Sequence, residues 1–283
     1  MIVSYHPCFE ADKNLICAGR EPDDDDLAAI LAADAVILPQ GCYKSLYQMA
    51  RQNCRHVFPN FNARFKYPGK IGQIQLFRET NTFHPATETH LNLDAFNQCC
   101  RTESLRAKLG FPLVFKFDWG GEGYHVYLLK SEGDLDQALQ TAKHFEKTGR
   151  AGFLMQEYIP SGNRALRVVV VGKTFISYWR IQNNSKSYRS NLAQGAVIDT
   201  KADPDLQHAA VDRIKDFCRQ AGINLAGFDV LFASESTNKN PLMLEINYYF
   251  GRRGLGGSER FYELLRSEIL KWIDSIGLSL QKG

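Results

Sequence analysis

Apolar residues recur along the chain with two spacings. Residues 2–5, 35–38 and 56–58 are short apolar runs, and residues 23–33 and 43–53 between them carry apolar positions three and four apart. Short runs bounded by polar clusters predict strands, and the longer spacing predicts helices. Their alternation predicts a small parallel sheet at the N-terminal end. A polar connection holding Arg64 and Lys66 follows, then expected helices over 71–79 and 94–109, the second stopped by Gly110. Strands over 111–117 and 126–129 flank Gly120, Gly121 and Gly123. Ser131 and Asp134 read as a capping box before a helix over 135–147. A strand over 153–159 precedes a hairpin of 166–171 and 174–181, turning at Gly172 and Lys173. Gly195 to Asp199 reads as a strand. Asp203 and Pro204 then open an amphipathic helix with Leu206, Ala210, Ile214, Phe217 and Ala221 on its buried stripe. A last helix is expected over 259–276.

The most informative stretch lies between those two helices. Residues 227–232 and 242–247 read as a hairpin joined by a polar turn. Strict alternation puts Phe228, Val230, Phe232, Leu242, Leu244 and Ile246 on one face. The other face carries Asp229, Leu231, Met243, Glu245 and Asn247. With the turn centred near Thr237, Asp229 lies opposite Glu245, their Cβ atoms roughly 5 Å apart. Two buried carboxylates so close need a cation. Hard oxygen donors suit Mg²⁺ held together with substrate phosphates. Pairing with Lys or Arg, or exposure to solvent, is the ordinary alternative, and a one-residue slip would part the two acids.

Composition narrows the classes. The chain of 283 residues is 44% hydrophobic and 23% charged, as expected of a globular protein with two or three subdomains. A net charge of +3 is too small to indicate nucleic acid or a membrane surface as partner. Seven cysteines, odd in number and without a Cys-x-x-Cys pair, predict free thiols in a reducing, cytoplasmic setting. Neither a signal peptide nor a membrane span is expected.

Other motifs are weaker. The aspartates at 23–26 suit a helix N-terminus better than a metal site. His84 reads as a surface residue. The glycine loop fits neither the P-loop nor the dinucleotide spacing, although its backbone N–H groups can wrap an anion. Arg180, Gln182, Asn183, Asn184, Lys186, Arg189 and Asn191 form a basic, amide-rich stretch. No Ser-His-Asp or Cys-His spacing argues for a protein nucleophile.

Taken in order, these pieces resemble the RimK-like branch of the ATP-grasp superfamily. The series is Gly69-Lys70 opening a helix, residues 112–116 ending in Lys116 with the glycine loop, and residues 156–159. Residues 166–172, residues 188–192 with Gly195, residues 226–231 and residues 244–247 continue it. The resemblance implies an α/β (α+β ATP-grasp) fold. Residues 1–68 would form a small pre-ATP-grasp α/β domain, 69–158 the connecting helices and lid subdomain, and 159–283 the core subdomain with the metal site.

The resemblance also implies roles. Lys70 and Lys116 would contact ATP phosphates under a lid of Gly120, Gly121 and Gly123. The backbone of Glu157, Tyr158 and Ile159 would read adenine. Arg167, Arg189 and Asn191 would surround the γ-phosphate and an acyl-phosphate. Asp229, Glu245 and Asn247 would hold two Mg²⁺ ions, with Mn²⁺ an allowed replacement.

The implied activity joins a small-molecule or peptide carboxylate to an amine with release of ADP, and a homodimer is compatible with it. Rival readings are an ATP-grasp kinase and a non-catalytic nucleotide-binding regulator. Two departures stand out. Ala165 occupies a place where relatives carry Asp, two residues before Arg167. Asn247 is followed by Tyr248, Tyr249 and Phe250 rather than by the usual Pro-Gly turn. Specificity is expected there, with Arg252, Arg253, Gly257 and Ser258 gripping a carboxylate of the substrate.

Overall fold

The computed structural model describes residues 1–99, 109–120, 125–182, 196–234 and 239–281. Gly121, Gly123, Arg189 and Asn191 lie outside them. Three sheets are formed among the described residues.

The first is parallel, in the order β2 (Lys13–Asn14), β1 (Ile2–Ser4), β3 (Ala35–Ile37), β4 (His56–Phe58). Helices α1 (Asp24–Leu31) and α2 (Lys44–Asn53) supply its crossovers. Asp23 caps α1 by bonding Asp26 N–H, and the buried Asp26 is met by Arg20 and Tyr5. The aspartate run is therefore a helix start. One face of the sheet packs Val3, Tyr5, Val36 and Leu38 against Leu46 and Ala50. The other packs Ile2, Ala35, Ile37 and Phe58 against the last helix.

The expected polar connection after β4 contains a short helix, α3 (Asn62–Lys66). Helix α4 (Gly69–Glu79) follows and starts two residues before its apolar pattern does. It opens on Gly69 and Lys70, and the N–H groups of Lys70 and Ile71 are bonded by Asp118.

The second sheet is antiparallel, in the order β5 (Thr87–His90), β8 (Phe153–Glu157), β6 (Leu113–Phe117), β7 (Val126–Leu129). Strand β5 extends the turn expected at His84–Thr87, where four mostly polar residues carry no alternation. Helices α5 (Leu93–Cys99) and α6 (Glu132–Glu146) cover the face of Phe115, Phe117 and Phe153. Ser131 and Asp134 form the expected capping box.

The third sheet runs β11 (Val197–Asp199), β10 (Thr174–Ile181), β9 (Arg164–Val171), β12 (Leu225–Leu231), β13 (Leu242–Asn247). Its pairings are antiparallel. Leu166, Val168, Val170, Phe228 and Val230 pack against α7 (Pro204–Ala221) and α4. Val169, Val171 and Leu225 pack on the opposite face against α8 (Ser258–Ser275). Among the described residues, no helix is long and apolar enough to cross a membrane.

The β12–β13 hairpin corrects one expectation. Asp229 does pair with Glu245, but Val230 pairs with Met243, so a bulge takes up Leu244. Past the bulge the alternation reverses. Met243, expected beside the acids, is fully buried in the core, and Leu244 is only half-buried.

Candidate active site

Five-strand register assembles the charged centre. Arg167 on β9 pairs with Asp229 on β12 and with Tyr178 on β10. Side chains of paired residues share a face, as do residues two apart. Ala165, Arg167, Arg180, Asp229, Glu245 and Asn247 therefore lie on one face, at the end of the sheet not covered by α8. Arg167 grips Asp229 through Nε–Oδ1 at 2.6 Å and Nη2–Oδ2 at 3.1 Å. Arg180 also bonds Asp229 Oδ1, and Asn247 Nδ2 donates to Oδ2 at 3.2 Å. Gly227 leaves room for this clamp, since a Cβ there would lie 3.0 Å from Arg167 Nη1.

The expected cation thus exists within the chain: two arginines neutralise Asp229. Burial pushes its carboxyl up, but Arg167 and Arg180 outweigh burial and hold it at about 2. Arg180 stands in the basic stretch, where nothing in the local sequence sets it apart. The available signal is its place on β10, two residues after the register partner of Arg167, which only the strand pairing reveals. Its register partner is Ala165, and its buried Nε has no hydrogen-bond partner among the described residues. Arg164, beside Ala165, turns outward to Asp203 and stacks on Trp179.

Glu245 is half-buried and has no hydrogen-bond or ion-pair partner among the described residues. Asn247 spends its amide N–H on Asp229, which leaves its oxygen for another ligand. Among the described residues no three His, Cys, Asp or Glu side chains cluster as a self-sufficient metal cage. The Glu245 carboxylate and the Asn247 amide oxygen are the open donors that fit a hard cation taking its remaining ligands from phosphate and water, while both Asp229 oxygens are engaged by Arg167, Arg180 and Asn247.

The second sheet (the lid sheet) packs toward the third (the core sheet) and contributes Lys116. On β6 it pairs with Leu154, while Val114 pairs with Gln156. These four share the face turned to the core sheet, and Leu154 joins the same core as Phe228. Lys116 Nζ donates to Gln156 Oε1 at 2.7 Å, and Gln156 Nε2 donates to Thr87 Oγ1 at 2.9 Å. Burial drags the Lys116 ammonium down to about 8, against Glu245 and Asp229, which favour its charge, and with Lys70, which opposes it. Lys116 thus lies within electrostatic range of Lys70 and of both acids.

Lys70 Nζ donates to Gly120 O at 2.8 Å, and Asp118 Oδ1 accepts from Ile71 N–H at 2.7 Å. Glu157 is exposed at the end of β8, followed by the half-buried Tyr158 and Ile159. The backbone N–H of Glu157 is bonded to Ala86 O.

A second concavity of about 360 Å³ lies beyond Asn247, between Gln40 and the segment carrying Tyr249, Arg252, Arg253, Gly257 and Ser258. Arg64 fixes its N-terminal wall, donating to Gln40 O at 2.7 Å and to Tyr249 OH at 2.9 Å. Arg252 is committed to the protein. Its Nη1 is 3.3 Å from Ser258 Oγ, and its guanidinium lies 4.4 Å over the Tyr262 ring. Burial and the neighbouring Arg252 push His6 down to about 4. Arg253 is exposed, and its guanidinium has no hydrogen-bond or ion-pair partner among the described residues. Gly257 and Ser258 open α8.

The RimK-like ATP-grasp domain profile matches residues 89–273, more than half of the chain. The chain belongs to the RimK-like ATP-grasp family. An alpha-aminoadipate–LysW ligase, LysX, of Sulfolobus acidocaldarius is 26% identical over 65% of this chain. The match spans 62% of that ligase's own length. Two solved structures share the fold. One is a RimK domain ATP-grasp protein from Sphaerobacter thermophilus, with a TM-score of 0.59 at 14% identity, covering 95% of this chain and 99% of that one. The other is a D-alanine–D-alanine ligase from Bacillus anthracis complexed with ATP, with a TM-score of 0.63 at 13% identity, covering 95% and 90%.

Proposed function

We propose that this protein is an ATP- and Mg²⁺-dependent carboxylate–amine ligase that releases ADP. The observation that carries the reading is the buried Lys116, which has Lys70, Glu245 and Asp229 within electrostatic range, with Asn247 two residues beyond Glu245 on the same strand. Cations for phosphate and hard oxygens for a metal, in one cleft, suit phosphoryl transfer. The family membership and the ligase relative support it. The working partition is 1–68, 69–158 and 159–283, as expected from the sequence.

In this reading Lys70 and Lys116 hold the ATP phosphates, and Gly120 with Gly121 and Gly123 covers them. The backbone of Glu157 to Ile159 receives adenine. Glu245, Asn247 and Asp229 would hold Mg²⁺, which when bound would neutralise charge on the transferred phosphoryl group. The substrate carboxylate attacks the γ-phosphorus, the bond from that phosphorus to the β,γ-bridging oxygen breaks, and ADP leaves. An amine then attacks the acyl carbon, loses a proton and expels phosphate. Arg167, with Arg189 and Asn191, stabilises the charge that develops. Arg253, rather than the committed Arg252, grips a second carboxylate of the acid at the mouth of α8.

The test is ADP release with orthophosphate release across paired acids and amines, small peptides included. A ligase yields equal ADP and phosphate only when both partners are present. Stoichiometric ADP with a stable phosphorylated product and no free phosphate would make it a kinase. In Glu245→Gln, a folded protein without turnover is expected, and undiminished turnover would remove the metal from this hairpin.

A further inference from the structure

The amide of Gln73 makes two hydrogen bonds to one residue of the opposite element. Its Nε2 donates to Ile246 O at 2.9 Å, and its Oε1 accepts from Ile246 N–H at 2.8 Å. Ile246 stands between Glu245 and Asn247 on β13. That strand closes the edge of the core sheet, so the peptide groups of Ile246 that face away from β12 have no strand to pair with. A primary amide offers the same donor and acceptor as a peptide group. Gln73 therefore stands in for one residue of a neighbouring strand, at the point that sets the height of both Glu245 and Asn247.

The same helix is bonded elsewhere. Gln73 follows Lys70 by three residues on α4, just under one turn. The first turn of α4 is tied to the end of β6. Asp118 Oδ1 accepts from Ile71 N–H, Asp118 O accepts from Lys70 N–H at 3.4 Å, and Gly120 O accepts from Lys70 Nζ. One rigid helical turn thus spans the strand leading into the glycine loop and the strand carrying two of the candidate metal ligands. Helical amphipathicity does not require a glutamine here, because Ile74, Leu76 and Phe77 already supply the buried stripe.

We infer that Gln73 is a positioning residue, which fixes Glu245 and Asn247 at a set distance from Lys70 so that metal and phosphate are received together. The inference rests on the ligase reading for the identity of those two ligands. It assigns Gln73 no contact with either.

Gln73→Met keeps the volume and helix propensity of the side chain while removing both hydrogen bonds, and Gln73→Ala removes its bulk as well. Gln75→Ala serves as control, since Gln75 is exposed on the same helix and bonds only Glu79 among the described residues. Titrations would use Mn²⁺ with a non-hydrolysable ATP analogue, and the analogue alone in chelator. Hydrogen exchange at the Ile246 amide would be followed in parallel.

Both Gln73 variants should bind Mn²⁺ in the nucleotide complex about tenfold more weakly, the effect of two lost hydrogen bonds. They should exchange Ile246 N–H faster and bind the metal-free nucleotide as the wild type does. Gln75→Ala should match the wild type throughout. Wild-type Mn²⁺ affinity in Gln73→Met, even with a lowered melting temperature, would make Gln73 a structural tie and overturn the inference alone. Failure of the wild type to bind nucleotide in a metal-dependent way would overturn the ligase reading and this inference with it.

Discussion

Lys116 keeps its charge where water hardly reaches: it is 8% exposed, with one hydrogen bond among the described residues. Its folded value of about 8 lies below the ordinary 10.5. Between these values the unfolded chain binds the proton more firmly, so the contribution of Lys116 to stability improves as pH rises from 8 to 10.5 and is least favourable below 8. At 1.36 kcal/mol per unit the cost at neutral pH is about 3 kcal/mol. Lys116→Met should therefore raise stability to urea at pH 7, with the advantage shrinking toward pH 10.5, and should abolish ATP binding. An unchanged urea midpoint at both pH values would show that the ammonium is not strained by burial. The arginines at 252 and 253 differ in the same concrete way. Arg253→Ala should raise KM for the acid substrate ten- to a hundredfold, as loss of a charge-assisted pair does, without lowering Tm. Arg252→Ala should lower Tm through its lost stacking on Phe261 and Tyr262.

Helix α4 shows what a single backbone angle can control. Gly69 has φ +69°, and a Cβ placed on it would lie 2.4 Å from Asp118 Oδ1. Gly69→Ala combines the left-handed strain, about 1–2 kcal/mol, with displacement of the carboxylate that caps Ile71 N–H. A fall of several degrees in Tm with a higher KM for ATP is expected. Retention of both would mean that the first turn of α4 tolerates separation from Asp118. The helix itself was legible from Ile71 onward, because apolar spacing begins there. Gly69, Lys70 and Gln73 answer to groups on other elements, so no periodicity marks them. Strand β5 and helix α3 carry no sequence signal for a related reason: each is short, and β5 is held by pairing with β8 rather than by its own alternation.

At the scale of the whole molecule, the cleft is built by three sheets that meet around α4 and α8. Ligands that bind only the assembled cleft should stabilise all of it together. ATP with Mg²⁺ should raise Tm more than ATP with a chelator, approaching about 2.7 kcal/mol at a hundredfold excess over Kd. Equal shifts with and without chelator would remove the metal from nucleotide binding. Hydrogen bonds of Gln40, Arg64 and Tyr249 join the N-terminal sheet to the segment after Asn247, so in the proposed reading acid selection and nucleotide binding would share one frame.

The apolar pattern by itself determined most of the elements and the parallel N-terminal sheet, while the pairing of Asp229 with Glu245 rested on where the turn is centred, which alternation alone leaves open to a slip. The ordered motifs carried the family resemblance. Tertiary structure alone decided which cation meets which acid. Arg167 and Arg180 reach Asp229 only because β10, β9 and β12 lie side by side, and Gln73 reaches Ile246 only because β13 is an edge. The bulge that sends Met243 inward was equally invisible, since alternation cannot count a residue that a partner strand leaves unpaired. Long-range contacts select these side chains by geometry, and neighbours in sequence carry no trace of that choice.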